Sequence, residues 1–194
     1  MDTNKNNLFP IFVKLEELRL LIVGAGEIGY EKLATVLSNT PGAHVTVVAN
    51  FIKKEVRELA FQHKNVQLIQ AAYHAEFLDN CDIVIAAVND IDLAERIRQD
   101  TKQKGKLLNA ADKPSLCDFY LGSVITKGDV KIAISTNGKS PTLARRMKEF
   151  FNEALPDELE TLVSNLHNIR NKIQDGFKER VKKLNDITSP LVEE

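Results

Sequence analysis

The sequence predicts a doubly wound α/β fold, a parallel sheet with helices on both faces, and three observations carry that expectation. Short apolar runs alternate with helix-period segments from Leu20 to Leu108. One run, Leu20-Leu21-Ile22-Val23, breaks into Gly24-Ala25-Gly26-Glu27-Ile28-Gly29 and opens a helical pattern. Another, Ile83-Val84-Ile85-Ala86-Ala87-Val88, is apolar without interruption, as parallel strands covered on both faces are.

The elements follow in order. After the first strand, Ile28, Leu33, Val36 and Leu37 recur at helical spacing, and the pattern stops at Pro41-Gly42. Val45–Ala49 reads as a second strand, Ile52–Phe61 as a helix and Val66–Ile69 as a short third strand. The Ile83–Val88 run is the fourth, with Cys81 expected at its start. Ile91–Lys104 is helical up to Gly105, and Leu107-Leu108 begins a fifth strand. Strand and helix alternating at this interval is the pattern of a doubly wound sheet.

Past Asp112-Lys113-Pro114 the rhythm changes. Val124–Thr126 and Val130–Ser135, joined through Lys127-Gly128-Asp129, read as a hairpin. Ser140-Pro141 supplies a cap and a first-turn proline for a helix reaching Ala154. Beyond Pro156, Leu159, Leu162, Val163, Leu166, Ile169, Ile173 and Phe177 form one apolar stripe, expected to be core or partner interface. Residues 187–194 read as a frayed end. The expected division is a nucleotide-binding region over 1–112, a hairpin-plus-helix region over 113–154 and a helical region over 155–194.

Composition narrows the function. The 194 residues are 43% hydrophobic, enough for a real core, and the formal net charge is −1. So small a charge gives no field to gather nucleic acid or coat a membrane. Cys81 and Cys117 fit no zinc or redox spacing, and His44, His63, His74 and His167 form no ligand set, so no resident metal is expected. No apolar run approaches the roughly 20 residues a membrane span requires, and no leader pattern precedes the first strand. A soluble cytoplasmic protein is expected.

The glycine segment carries the most specific chemistry. Gly24 permits the tight turn out of the strand, Gly26 lets a phosphate approach bare backbone, and Gly29 lets helix and sheet pack closely. The helix N-terminus then offers free N–H groups and partial positive charge to a pyrophosphate. A dinucleotide is the expected ligand. At the end of the second strand, where an acid normally receives the ribose hydroxyls of NAD, stands Asn50, with Lys53 and Lys54 just beyond. The pattern by itself leaves NAD and NADP open.

Two further corners each have two readings. Ser135-Thr136-Asn137-Gly138-Lys139-Ser140-Pro141, running into Arg145 and Arg146, suits carboxylate groups at a helix N-terminus; the plainer reading is a capped helix with solvated bases. In Asn109-Ala110-Ala111-Asp112, the aspartate is either a turn former or a catalytic group at a strand end.

Several separated pieces together resemble one family. They are Leu8-Phe9-Pro10-Ile11-Phe12, the glycine turn through Glu31-Lys32, Ala86-Ala87-Val88-Asn89-Asp90, Asn109-Ala110-Ala111-Asp112, Phe119-Tyr120-Leu121-Gly122-Ser123, and the segment from Ser135 to Arg145. In this order, over about Leu8 to Pro156, they resemble the precorrin-2 dehydrogenases, which also form part of multifunctional siroheme synthases. Two departures are visible: Ala25 stands where the family commonly has a third successive glycine, and Glu31 where it often has arginine.

The resemblance implies a Rossmann-like sheet followed by a small hairpin dimerisation unit and a helical C-terminal region. It implies oxidation of precorrin-2 to sirohydrochlorin with NAD as hydride acceptor, in a homodimer; some members also insert Fe²⁺. Carried over by position, the catalytic aspartate is Asp112. Cofactor contacts fall on Gly24, Gly26, Glu27, Ile28, Gly29, Asn50, Phe51 and Asn89, and substrate contacts on Asn109, Thr136, Asn137, Gly138, Lys139, Ser140 and Arg145. Two alternatives stay beside this reading. One is a nucleotide-binding regulatory module without catalysis; the other is a different small NAD(P)-dependent reductase, favoured if Lys53 and Lys54 take a 2′-phosphate. With no methyltransferase-sized extension, a separate methyltransferase is expected to supply precorrin-2.

Overall fold

The computed structural model describes residues 6–173 and 176–189. The chain divides into two compact units: residues up to Gly122 together with Ser135–Ser140, and Ser123–Ile134 together with the residues from Pro141 onward.

The first unit is built on a five-stranded, all-parallel sheet. Its strands are β1 (Arg19–Ala25), β2 (His44–Ile52), β3 (Val66–Gln70), β4 (Ile83–Ala86) and β5 (Leu107–Ala110), in the spatial order β3-β2-β1-β4-β5. The crossovers carry α1 (Glu27–Asn39), α2 (Lys54–Phe61) and α3 (Ile91–Gln103). The chain works outward from β1 to β3 and then returns to β1's other side with β4. The order therefore reverses between β1 and β4.

Alternation along the central strand explains why it reads as unbroken apolar sequence. Leu20 and Ile22 enter a core layer with Leu33, Val36 and Leu37 of α1 and Val56 of α2. Leu21 and Val23 enter the opposite layer with Ile97 of α3, Leu78 and Tyr73. β4 does the same, sending Ile83 and Ile85 to the first layer and Val84 and Ala86 to the second. With side chains pointing alternately up and down, a strand covered twice has no polar face to keep.

Several boundaries differ from the sequence reading. β2 runs on to Ile52, so α2 begins at Lys54 rather than Ile52. The reason lies in register. Val23 pairs with Val48 but Ala25 pairs with Ile52, so β2 carries extra residues past the glycine turn as a bulge. Asn50 and Phe51 sit in that bulge, exposed at the carboxyl edge of the sheet. Cys81 is buried, just ahead of β4. Short 3-10 turns at Leu15–Glu17, Ala75–Asn80 and Pro114–Leu116 have no periodic signature and were not anticipated.

The second unit starts with a hairpin of β6 (Ser123–Lys127) and β7 (Val130–Ile134), closed by the two-residue turn Gly128-Asp129 with Gly128 at φ 55°. α4 (Pro141–Ala154) lays Ala144 and Phe151, with Leu155 just past its end, against Ile125, Ile132 and Ile134. The long apolar stripe read past Pro156 is two helices, α5 (Leu159–Lys172) and α6 (Phe177–Thr188). Its α5 members are half-buried along one face, while Phe177 opens α6 fully exposed. The expected frayed end is helical through Thr188; positions 190–194 lie outside the described residues. Among the described residues, no helix is long and apolar enough to cross a membrane.

Candidate functional site

The candidate site forms where the strand order reverses, at the carboxyl ends of β1 and β4. In open α/β sheets this crevice is the place for ligands. The three glycines of the turn are there for different reasons. Gly24 has φ +105°, and a Cβ on it would lie 2.2 Å from the carbonyl oxygen of Ala87, just beyond β4. A Cβ on Gly29 would lie 2.2 Å from the carbonyl oxygen of Gly24, so this helical glycine sets how closely α1 packs on β1. Gly26 has an ordinary extended backbone, and a Cβ there would meet no protein atom within 4 Å.

The protein's own packing therefore requires the first and third glycines and leaves the second unexplained. Gly26 is the N-cap of α1, and no side chain caps that end. Bare backbone facing open space, at a helix N-terminus with orphan N–H groups, fits a pyrophosphate. Glu27 and Ile28 follow in the first turn of α1, with Glu27 exposed.

Across the turn, the Lys53 N–H donates to the carbonyl oxygen of Ala25 at 3.0 Å, fastening the end of β2 to the glycine segment. The Lys53 ammonium bridges the carboxylates of Glu27 and Glu55, the latter at 3.2 Å. Those contacts, Glu27 foremost, raise its pKa, and Glu55 is held below the usual carboxylate range by a backbone hydrogen bond and by Lys53. Lys54 pairs with Glu58 at 3.4 Å. Both lysines weighed as 2′-phosphate ligands thus already have acidic partners. Asn89 is exposed just past β4, and the next residue, Asp90, caps α3 by accepting from the Leu93 N–H at 3.1 Å.

Asp112 stands on the same edge. The Ala87 N–H donates to Val23 and the Ala111 N–H to Ala86, so the three strand ends are level. Two steps of inter-strand spacing separate β1 from β5, or about 10 Å. Asp112 is exposed and left-handed, at φ 57°. Its neighbour Lys113 donates from Nζ to the carbonyl oxygen of Val88 at 2.8 Å, tying the aspartate's turn to the end of β4.

The edge of β5 is closed by side chains acting as a strand. The Leu108 N–H donates to Asp118 Oδ2 at 3.0 Å, and the Ala110 N–H donates to Cys117 Sγ at 3.2 Å. The Cys117 thiol lies 3.2 Å from the Ala110 carbonyl and 3.4 Å from that of Lys113, and it donates to one or the other. Burial pushes this thiol's pKa up, which keeps it a donor. Although burial opposes it, the Arg98 guanidinium and the Leu108 N–H hold the Asp118 carboxyl below its ordinary range. Cys117 and Lys113 are functional candidates the sequence reading missed. A strand edge capped by side chains leaves no periodic trace; the one available signal was a Cys-Asp pair shortly after an edge strand.

Asn109 is only 6% exposed, and its amide donates to the Phe119 carbonyl at 2.9 Å, with Cys117 Sγ at 3.7 Å, so it holds the 117–119 segment.

The Ser135–Ser140 loop belongs to this first unit. Thr136 Oγ1 donates to the Ser140 carbonyl and accepts from the Ser140 N–H, both at 3.1 Å. Asn137 and Gly138 are left-handed, at φ 54° and 73°. A Cβ on Gly138 would come within 4.0 Å of the Tyr120 ring, whose hydroxyl donates to the Pro114 carbonyl at 3.5 Å. Tyr120 therefore lies near this loop while its hydroxyl holds the segment that leaves Asp112. Lys139 is exposed at its tip. Arg145 belongs to the second unit, on α4, where it and Arg146 pair with Glu149 at 3.2 and 2.8 Å. Among the described residues, no group of three or more His, Cys, Asp or Glu side chains gathers to hold a metal.

Known proteins match this arrangement. The family described as "Putative NAD(P)-binding" matches residues 11–123, and "Sirohaem biosynthesis protein central" matches residues 127–153. A siroheme synthase of Psychrobacter arcticus is 35% identical over 176 residues, covering 91% of this chain and 30% of its own. One from Neisseria meningitidis is 31% identical over 180 residues, covering 93% and 36%. The chain thus spans about a third of the length of these curated relatives. The solved structure of SirC, precorrin-2 dehydrogenase, shares the fold with TM-score 0.72 at 23% identity, covering 93% of this chain and 89% of that one. The chain belongs to the putative NAD(P)-binding family, and residues 127–153 are similar to the sirohaem biosynthesis central family.

Proposed function

We propose that the protein oxidises precorrin-2 to sirohydrochlorin with NAD⁺, acting as a cytoplasmic homodimer in siroheme synthesis. The supporting observation is a common edge: an unfilled glycine turn at the sheet's reversal point and an exposed aspartate level with it two strands away. The siroheme synthase relatives supply the substrate class.

Oxidation removes a hydride and a proton from the reduced macrocycle. The nicotinamide, when bound, supplies the hydride acceptor. The α1 N-terminus, Gly26, the Asn50–Phe51 bulge and Asn89 are the residues that would hold the dinucleotide. Asp112 receives the proton at a carboxylate oxygen. Its side chain makes no hydrogen bond or ion pair among the described residues, which leaves it open to a substrate C–H or N–H. The Asn137–Ser140 loop faces the substrate's acidic side chains with the Lys139 ammonium, the N–H groups of Asn137, Lys139 and Ser140 being bonded within the loop. The homodimer reading is supported by Leu143, Met147 and Phe150, an exposed apolar stripe along α4.

The test is anaerobic incubation of precorrin-2 with the protein and either NAD⁺ or NADP⁺, following the sirohydrochlorin spectrum. The proposal expects product and NADH in equal amounts, faster with NAD⁺. Tight NADH binding without oxidation would favour the regulatory module instead. Adding Fe²⁺ to sirohydrochlorin with and without protein, in the same cuvette, measures any metal insertion over the uncatalysed rate.

A further inference from the structure

The missing strand-end acid has a structural substitute. At the usual place Asn50 can hydrogen-bond a ribose but cannot repel a 2′-phosphate. Three cations stand near that corner, and each already has a partner. Lys53 is bridged by Glu27 and Glu55, Lys54 pairs with Glu58, and the Arg57 guanidinium donates to Gln70 Oε1 at 2.7 Å.

Lys53 lies between the two walls of the ribose corner. It is the first residue after β2, and its N–H is fastened to Ala25 in the glycine segment. Glu27 comes from the opposite wall, directly after Gly26. Two carboxylates around one ammonium give the Lys53 group one negative charge in excess, while Lys54 is balanced by Glu58 and Arg57 is held by the neutral Gln70 amide. An adenosine 2′-phosphate entering it would bring about two more negative charges and would have to displace a carboxylate from Lys53. A ribose with free hydroxyls faces no such conflict.

We propose that Glu27 and Glu55, gathered on Lys53, are the residues that select NAD(H) over NADP(H) in this protein. This rests on the reading of the glycine turn as the dinucleotide site. It differs from the usual device in placing the discriminating charge in the first turns of α1 and α2, not at the strand end.

The test is fluorescence titration of the full chain with NADH and with NADPH at low ionic strength, where surface charge is least screened. Wild-type protein is expected to bind NADH at least tenfold more tightly. In the double variant Glu27→Gln/Glu55→Gln, the NADPH-to-NADH Kd ratio is expected to fall threefold or more, because Lys53 is released to meet a phosphate. Adding Lys53→Met should return the ratio toward wild type. Glu58→Gln, which neutralises an acid on the same helix but away from Lys53, should move it less than threefold. A ratio that changes by less than threefold in the double variant, or as much in Glu58→Gln, overturns the inference while leaving the NAD reading intact. Wild-type protein that binds NADPH as tightly as NADH overturns both.

Discussion

The sheet unit and the hairpin unit differ most in how much apolar core each encloses. In the first, Leu20, Ile22, Val47, Val48 and Leu108 are at most 2% exposed, sealed between helices on both sides of the sheet. In the second, the core is Ile125, Ile134 and Ala144 with a few half-buried neighbours, while Leu143, Phe150 and Phe177 remain open to solvent. A sheet covered twice supplies its own cohesion and can leave its carboxyl edge irregular, with bulge, bare glycine and left-handed aspartate. The hairpin unit keeps a large apolar surface in reserve. Such a surface on a small unit marks a place for a partner, here read as a second copy of the chain.

The sharpest way to break this contrast is a cavity in each unit. Leu33→Ala, at a position with no exposed surface, is expected to lower unfolding free energy by about 2–5 kcal/mol in denaturant titrations. Leu143→Ser on α4 should cost the isolated chain no more than about 0.5 kcal/mol, since that side chain is 53% exposed. Combined with Phe150→Ser, it should instead shift sedimentation toward monomer. If Leu143→Ser destabilises as much as Leu33→Ala, the two units do not differ as described.

Next in size is the separation of the two edge glycines. Gly26→Ala should leave the thermal midpoint within a degree or two of wild type, because nothing in the protein meets the added carbon. NADH affinity should fall about tenfold, near 1.4 kcal/mol, as that carbon occupies the pyrophosphate's approach. Gly29→Ala should do the reverse in emphasis, costing stability first, because its Cβ collides with the Gly24 carbonyl. Equal stability losses in both variants would remove the argument that Gly26 is reserved for a ligand.

The smallest effect lies at the amino edge, away from the site. Arg19 donates to Asp82 from Nε at 3.1 Å, Nη2 at 3.0 Å and its backbone N–H at 2.9 Å. These bonds, the guanidinium's first, hold the Asp82 carboxyl at about 2. A carboxyl depressed in the folded state stabilises above its ordinary value of 3.8 and loses that contribution as pH falls through about 2. Asp82→Asn should therefore be slightly less stable than wild type at neutral pH, with the gap in denaturation midpoint closing toward pH 2. A gap that is constant with pH would mean the carboxylate's charge plays no part.

How far the sequence could be read follows from the same contrast. Strand and helix alternation in the sheet unit was legible because double burial writes uninterrupted apolar runs such as Ile83–Ala86, and α4 was legible through its proline at the first turn. Periodicity could not reveal what hydrogen bonds do at the edges. Asn109 entered as a substrate contact through the family resemblance, and no pattern in the sequence shows that its amide donates to the Phe119 carbonyl beside Cys117. The β2 bulge was hidden because Asn50 interrupts the apolar pattern while the backbone stays extended to Ile52. Lys53 stood open to a 2′-phosphate in the sequence because spacing does not show that Glu27, 26 residues earlier, reaches it.

The claim on which the account turns is that the glycine turn and Asp112 serve one reaction across a shared edge. The most direct measurement is anaerobic single-turnover oxidation of precorrin-2 by NAD⁺ in wild-type protein and Asp112→Ala, with NADH affinity measured in both. The account predicts sirohydrochlorin from wild type, a rate about 10²-fold lower in the variant, and nucleotide affinity retained in both. A variant that turns over as fast as wild type would contradict it, as would wild-type protein that binds NADH and forms no sirohydrochlorin.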